Sequence, residues 1–183
     1  MINNLINIVQ NQINNESFKY YDMIILDVAN INFEEEPIEN ISKILSLMSY
    51  IIKPGGNIII INNNSNDMYL HELLQHRLFW RYNKEIIVKS KLIDDELNQE
   101  YIPILCYSNN FRTKDPEPTY NKFEDISNLW LTVSKNELYR RIVKMFSNEN
   151  DTIFDPCMNN DLVNNICKEL NRNYIGIKDN DGI

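Results

Sequence analysis

The chain has 183 residues, of which 43% are hydrophobic and 24% charged, and its formal net charge is −8. That length supports one domain with a real core. No apolar run approaches the ~18–20 residues of a spanning helix, residues 1–15 carry neither the basic region nor the apolar stretch of a secretory signal, and the surplus of acid argues against a free-standing binder of phosphate backbone.

Asp22–Asp27 (Asp-Met-Ile-Ile-Leu-Asp) is a short apolar run between polar ends and reads as a buried strand. Apolar residues at 38, 41, 44, 45, 47, 48, 51 and 52 have helical spacing, with Pro37 at the start and Lys53-Pro54-Gly55-Gly56 as the stop. Asn57–Asn62 is a second buried strand, and Asp67 caps an amphipathic helix running to Phe79. Glu85–Lys89 and Ile102–Tyr107 are the next strands. With no helix between them they are expected to pair antiparallel. Residues 111–127, with Pro116 and Pro118, form a polar loop.

Lys135–Phe146 is helical, with Leu138, Ile142, Val143 and Phe146 on one side. A strand at Asp151–Asp155, a helix at Asp161–Leu170 and a strand at Tyr174–Ile177 complete the chain. This alternation of near-continuous apolar strands with helices predicts an α/β fold with a mainly parallel sheet and helices on both faces. Ligands of such sheets sit beyond the carboxyl ends of the strands.

Five segments stand in a telling order: Asp27-Val28-Ala29-Asn30, Lys53-Pro54-Gly55-Gly56-Asn57, Trp130-Leu131-Thr132-Val133-Ser134-Lys135, Asp155-Pro156-Cys157-Met158-Asn159-Asn160-Asp161 and Tyr174-Ile175-Gly176-Ile177-Lys178. In that order the chain resembles the β-class (permuted) S-adenosylmethionine-dependent DNA amino-methyltransferases, which methylate adenine N6 or cytosine N4. Their corresponding motifs read Asp-Pro-Pro-Tyr, Lys-Pro-Gly-Gly, His-Pro-Thr-Gln-Lys-Pro, Asp-Pro-Phe-x-Gly-Ser-Gly-Thr and Tyr-Ile-Gly-Ile-Glu. The resemblance covers nearly the whole chain and implies a Rossmann-like class I methyltransferase fold with an antiparallel hairpin, in a single domain over residues 1–183.

The departures fall at the chemistry. By the resemblance, Asp27 and Asn30 are the vestiges of a catalytic motif that grips a flipped base, its acid accepting from the exocyclic amine and its aromatic stacking on the ring. Asp27 survives, both prolines are gone, and Asn30 stands where the aromatic belongs. A stacking platform contributes roughly 1–3 kcal/mol per base.

Thr132, Asp155, Pro156, Asn159, Asp161 and Lys178 are the implied vestiges of a cofactor site. Asn159 and Asp161 replace glycines that let the backbone approach the cofactor, and Asp161 brings a carboxylate toward the cofactor's own while also standing ready to cap the next helix. Lys178 has donors and no acceptor where the family uses an acid for ribose hydroxyls.

Other signals are weaker. His71 and His76 are five apart and share no helix face, so no metal site is expected. Cys157 lies near a helix start, with no base in view to make it a nucleophile. Cys106, Cys157 and Cys167 are scattered, without a CxxC, and read as reduced thiols. Four glycines and a single alanine, Ala29, fit AT-rich coding. Only about twenty residues separate Tyr107 from Trp130, too few for a separate target-recognition domain.

These readings converge on a catalytically inactive, cytoplasmic, methyltransferase-like subunit. No cofactor is expected, or S-adenosylmethionine if the site still functions. The expected partner is an active methyltransferase-type subunit or a second copy, with nucleic acid touched only jointly with a partner and no membrane contact. The alternative is a divergent but active DNA N6-adenine/N4-cytosine methyltransferase.

Overall fold

Strand alternation assigns side chains to the two faces of a sheet, and β1 (Tyr21–Asp27) shows it most clearly. Its residues Ile24 and Leu26 enter one core, while Met23 and Ile25 enter the other. The computed structural model describes residues 2–14, 20–27, 38–61, 80–89, 102–109, 128–131, 134–158 and 161–178. The other strands are β2 (Ile52–Ile61), β3 (Trp80–Lys89), β4 (Ile102–Asn109), β5 (Leu129–Leu131), β6 (Thr152–Met158) and β7 (Asn173–Lys178). The helices are α1 (Ile2–Ile13), α2 (Ile38–Ile51), α3 (Lys135–Phe146) and α4 (Leu162–Glu169).

Among the described residues the seven strands form one sheet in the order β5-β3-β4-β2-β1-β6-β7. β1 pairs parallel with β2 and β6, and β6 parallel with β7. β4 runs antiparallel to both neighbours, which places the expected hairpin at β3–β4. Helices α1 and α2 cover one face through Ile6, Val9, Leu45 and Met48. On the other face α3 and α4 bury Ile142, Val143, Phe146 and Ile166. The fold class read from the sequence therefore holds, with a mixed, mostly parallel sheet between helical layers.

Several elements differ from the sequence reading. Helix α1 is not among the expected elements, yet Ile6, Val9 and Ile13 recur at helical spacing and pack with α2. Lys53–Gly56 ends α2 but is already extended, so β2 begins at Ile52. Gly55 takes φ 77°, a conformation that glycine adopts without strain. β3 starts five residues earlier than predicted, because antiparallel pairing with β4 carries it past a bulge between Tyr82 and Lys84. β5 is a short edge strand that periodicity could not show in three residues. The helix expected at 67–79 and the loop at 111–127 lie outside the described residues.

Fixed polar contacts tie these elements together. The Asp22 carboxylate pairs with Lys53 of β2 and accepts from the Thr152 amide of β6 at 2.8 Å. The Asn57 side chain donates to the Phe146 carbonyl at 2.9 Å, joining β2 to the end of α3. The start of α3 is set by Ser134, whose hydroxyl accepts from the Glu137 amide at 3.2 Å.

Candidate functional site

Parallel strands β1 and β6 are neighbours near the middle of the sheet, and each carries an aspartate toward its carboxyl end. Alternation puts Asp27 on the face of Met23 and Ile25, and Asp155 on the face of Ile153, so both meet the layer formed by α3 and α4. Both are buried, at 7% and 5% exposure. Burying a carboxylate is unfavourable unless donors reach it, and the chain supplies them.

Tyr139, on the inner side of α3 and itself 5% exposed, donates its hydroxyl to Asp27 Oδ2 at 2.6 Å. Tyr174 at the start of β7 donates to Asp155 Oδ2 at 3.0 Å, and the Cys157 amide donates to Asp155 Oδ1 at 3.2 Å. A cleft opens here, lined among others by Asp27, Lys135, Tyr139, Asp155 and Cys157.

The charges are coupled. Burial raises the Asp155 carboxyl from the usual carboxylate range to about 6, partly offset by the bonds from Tyr174 and Cys157, and the Asp27 charge raises it further. Burial first, then the Asp27 charge and hydrogen bond, holds the Tyr139 phenol far above its ordinary value. Tyr174 is held up by burial and by Asp155. Each tyrosine thus remains a proton donor to its carboxylate at neutral pH and well above it.

The sequence-predicted residues divide three ways. Asp27, Asp155 and Pro156 are buried at adjacent strand ends, and the first two share the cleft. Asp161 directly precedes α4 and is exposed. Its expected cap bond is not made: the backbone takes φ −78°, ψ 9° instead of the extended geometry of Ser134, and no side-chain cap hydrogen bond forms. Its carbonyl accepts from the Asn165 amide at 2.9 Å. Lys178 is placed by its backbone, in register with Met158. Asn30, Thr132 and Asn159 lie outside the described residues.

Tyr139 and Tyr174 are the residues that sequence reasoning missed. Tyr139 follows Leu138 and precedes Ile142 by three, so its inward direction was available from helical spacing, but its carboxylate partner lies 112 residues away. Among the described residues no group of three or more His, Cys, Asp or Glu side chains is arranged to hold a metal ion. No helix among them is long and apolar enough to cross a membrane.

The model of a family described as DNA methylase, acting at N6 and N4 positions, matches residues 27–183. The Type II methyltransferase M.HpaI of Haemophilus parainfluenzae is 27% identical over 158 residues, covering 69% of this chain and 50% of its own. The chain thus spans about half the length of that curated relative.

Among solved structures, M1.HpyAVI in complex with S-adenosylmethionine superposes with a TM-score of 0.76 at 18% identity, over 97% of this chain and 90% of that one. TTHA0409 of Thermus thermophilus, complexed with S-adenosyl-L-methionine, gives 0.68 at 16% identity over 95% and 86%. The cytosine-N4-specific PvuII DNA methyltransferase gives 0.64 at 7% identity over 86% and 74%. At these identities the likeness to the solved structures is one of fold, Rossmann-like and class I.

Proposed function

Because the chain belongs to the N6/N4 DNA methylase family, we propose that it is a non-catalytic methyltransferase-fold subunit that acts by stabilising or regulating an active nucleic-acid methyltransferase. The observation that carries this reading is the start of α4. Asp161 stands exposed directly before the helix, at the position where the family's motif carries a glycine.

No glycine stands between Asp155 and Asp161, where the family's glycine loop would let backbone approach a cofactor. Asp155 is already engaged by Tyr174 and the Cys157 amide. This donor set fits S-adenosylmethionine poorly. Its α-carboxylate would meet Asp161. Like charges ~4 Å apart repel by about 4 kcal/mol at an effective dielectric near 20, a factor of about a thousand in affinity, and solvent screening at an exposed residue lowers that figure. A net charge of −8 suits pairing with a basic catalytic subunit that carries the nucleic-acid contacts.

A second reading, a divergent working methyltransferase, is favoured by the survival of Asp27 and Asp155 in one buried cleft. It would use Asp27 with Asn30 toward the target amine and Asn159 and Asn160 in the cofactor loop. Calorimetry with S-adenosylmethionine separates the two. The non-catalytic reading expects no binding heat, no methyl transfer to DNA by the chain alone, and a gain in stability or rate when the chain joins a methyltransferase captured with it from native lysate. A micromolar isotherm together with methyl transfer by the isolated chain overturns it.

A further inference from the structure

Among the described residues the sheet has two edge strands, and they differ. β5 is three residues long, and a short edge is one of the ways a sheet avoids unwanted pairing. β7 is six residues long, Asn173-Tyr-Ile-Gly-Ile-Lys178, has no proline and carries its one charged residue at its last position.

Strand β7 pairs with β6 alone. The Asn173 amide donates to the Asp151 carbonyl at 2.9 Å, so alternation turns the backbone groups of Asn173 and Ile175 toward β6. Those of Tyr174 and Gly176 face away from the sheet and have no strand partner among the described residues. Ile175 is 40% exposed. It shares a face of the strand with Ile177, which packs against the core under α1 and α2.

An outward row of amides and carbonyls is a template for another extended chain, and the order of residues says which one. Tyr174-Ile175-Gly176-Ile177-Lys178 has isoleucine on both sides of Gly176. An antiparallel copy centred on Gly176 sets Ile175 opposite Ile177 of the second copy, and by symmetry does so twice. The same register brings the outward backbone groups of the two strands face to face. Glycine at the axis leaves room for the backbones to approach. A slip of one residue sets Ile175 opposite Gly176 of the second copy and loses the apolar pair.

We propose that the outer edge of β7 is a self-association surface, on which a second copy of this chain pairs β7 against β7 about a two-fold axis at Gly176. The two sheets then run on as one. The pairing leaves the Tyr174 hydroxyl on Asp155, and it holds whether or not the chain transfers methyl groups. One short strand from each copy makes a small interface, so the dimer is weak and dependent on concentration.

The test follows the full chain from about 1 µM to about 1 mM by light scattering and residue-resolved amide exchange. The mass is expected to rise from monomer to dimer. Over the same range the Tyr174 and Gly176 amides slow, while the Ile175 amide, already bonded to β6, exchanges at a constant rate. Ile175→Lys replaces an exposed side chain, so it is expected to melt with wild type and to dimerise about 2- to 30-fold more weakly, the loss of two cross-strand pairs. A monomer at the highest concentration overturns the proposal, as does a dimer in which Tyr174 and Gly176 exchange unchanged. A folded Ile175→Lys that pairs as tightly as wild type also overturns it. Protection of Tyr174 and Gly176 that appears only on adding a different protein assigns the edge to that protein and overturns self-pairing.

Discussion

Asp155 shows how one buried acid sets a pH dependence. Burial raises its carboxyl from 3.8 to about 6, and the donors from Tyr174 and Cys157 offset only part of that rise. Between about pH 4 and pH 6 the folded chain holds a proton there that the unfolded chain has released. This group therefore favours folding most at low pH, and its contribution falls as pH rises through 6, by up to about 3 kcal/mol in total. Asp155→Asn, which keeps an oxygen for Tyr174, is expected to flatten that slope and to unfold at higher denaturant than wild type at pH 7.5. An unchanged slope in pH-dependent urea titrations counts against the assignment. Asp155 and Asp27 were legible as candidate site residues through the resemblance of their motifs to the family's, while the apolar runs alone placed them only at the ends of predicted strands. Their tyrosine partners were not, since helical spacing reports which way Tyr139 points and says nothing of what it meets.

At the scale of the element, the turn into β2 is tightly constrained at Gly56. A Cβ on Gly56 would lie 2.9 Å from the carbonyl oxygens of Asp22 and Lys53 and 2.7 Å from Ile52 Cγ1. Two of those atoms are backbone, at the irregularity between β1 and β2, so they do not yield cheaply. Gly56→Ala is expected to lose about 1–3 kcal/mol, a fall in Tm of about 2–4 °C per kcal/mol. A variant that melts with wild type shows that the turn can relax. The Lys-Pro-Gly-Gly stop was readable as a helix end because proline and glycine are local signals. That β2 already begins at Ile52 was not, because that start depends on Ile52 pairing with Tyr21 of β1, ahead of the irregularity that precedes Asn57. The same reason hid β5, whose three residues acquire strand geometry only by lying beside Ile87–Lys89.

For the whole molecule, charge and order matter more than any one contact. An acidic chain that works through a basic partner should associate with it faster at low salt. Stopped-flow association with the proposed methyltransferase partner is expected to slow clearly between about 50 and about 500 mM salt, and a salt-independent on-rate argues against charge-led pairing. The order of apolar strands, helices and five motif remnants was determined by the sequence alone, because burial of period-two and period-3.6 patterns leaves few architectures open and the serial order of the motifs names one. The sequence alone also determined that no glycine stands between Asp155 and Asp161. Only the tertiary structure decided that Asp27 and Asp155 share one cleft, and that tyrosines from α3 and β7 already hold them. Those are long-range pairings, made when strands and helices far apart in the chain are packed together, and no local pattern of residues encodes which buried acid a distant hydroxyl will meet.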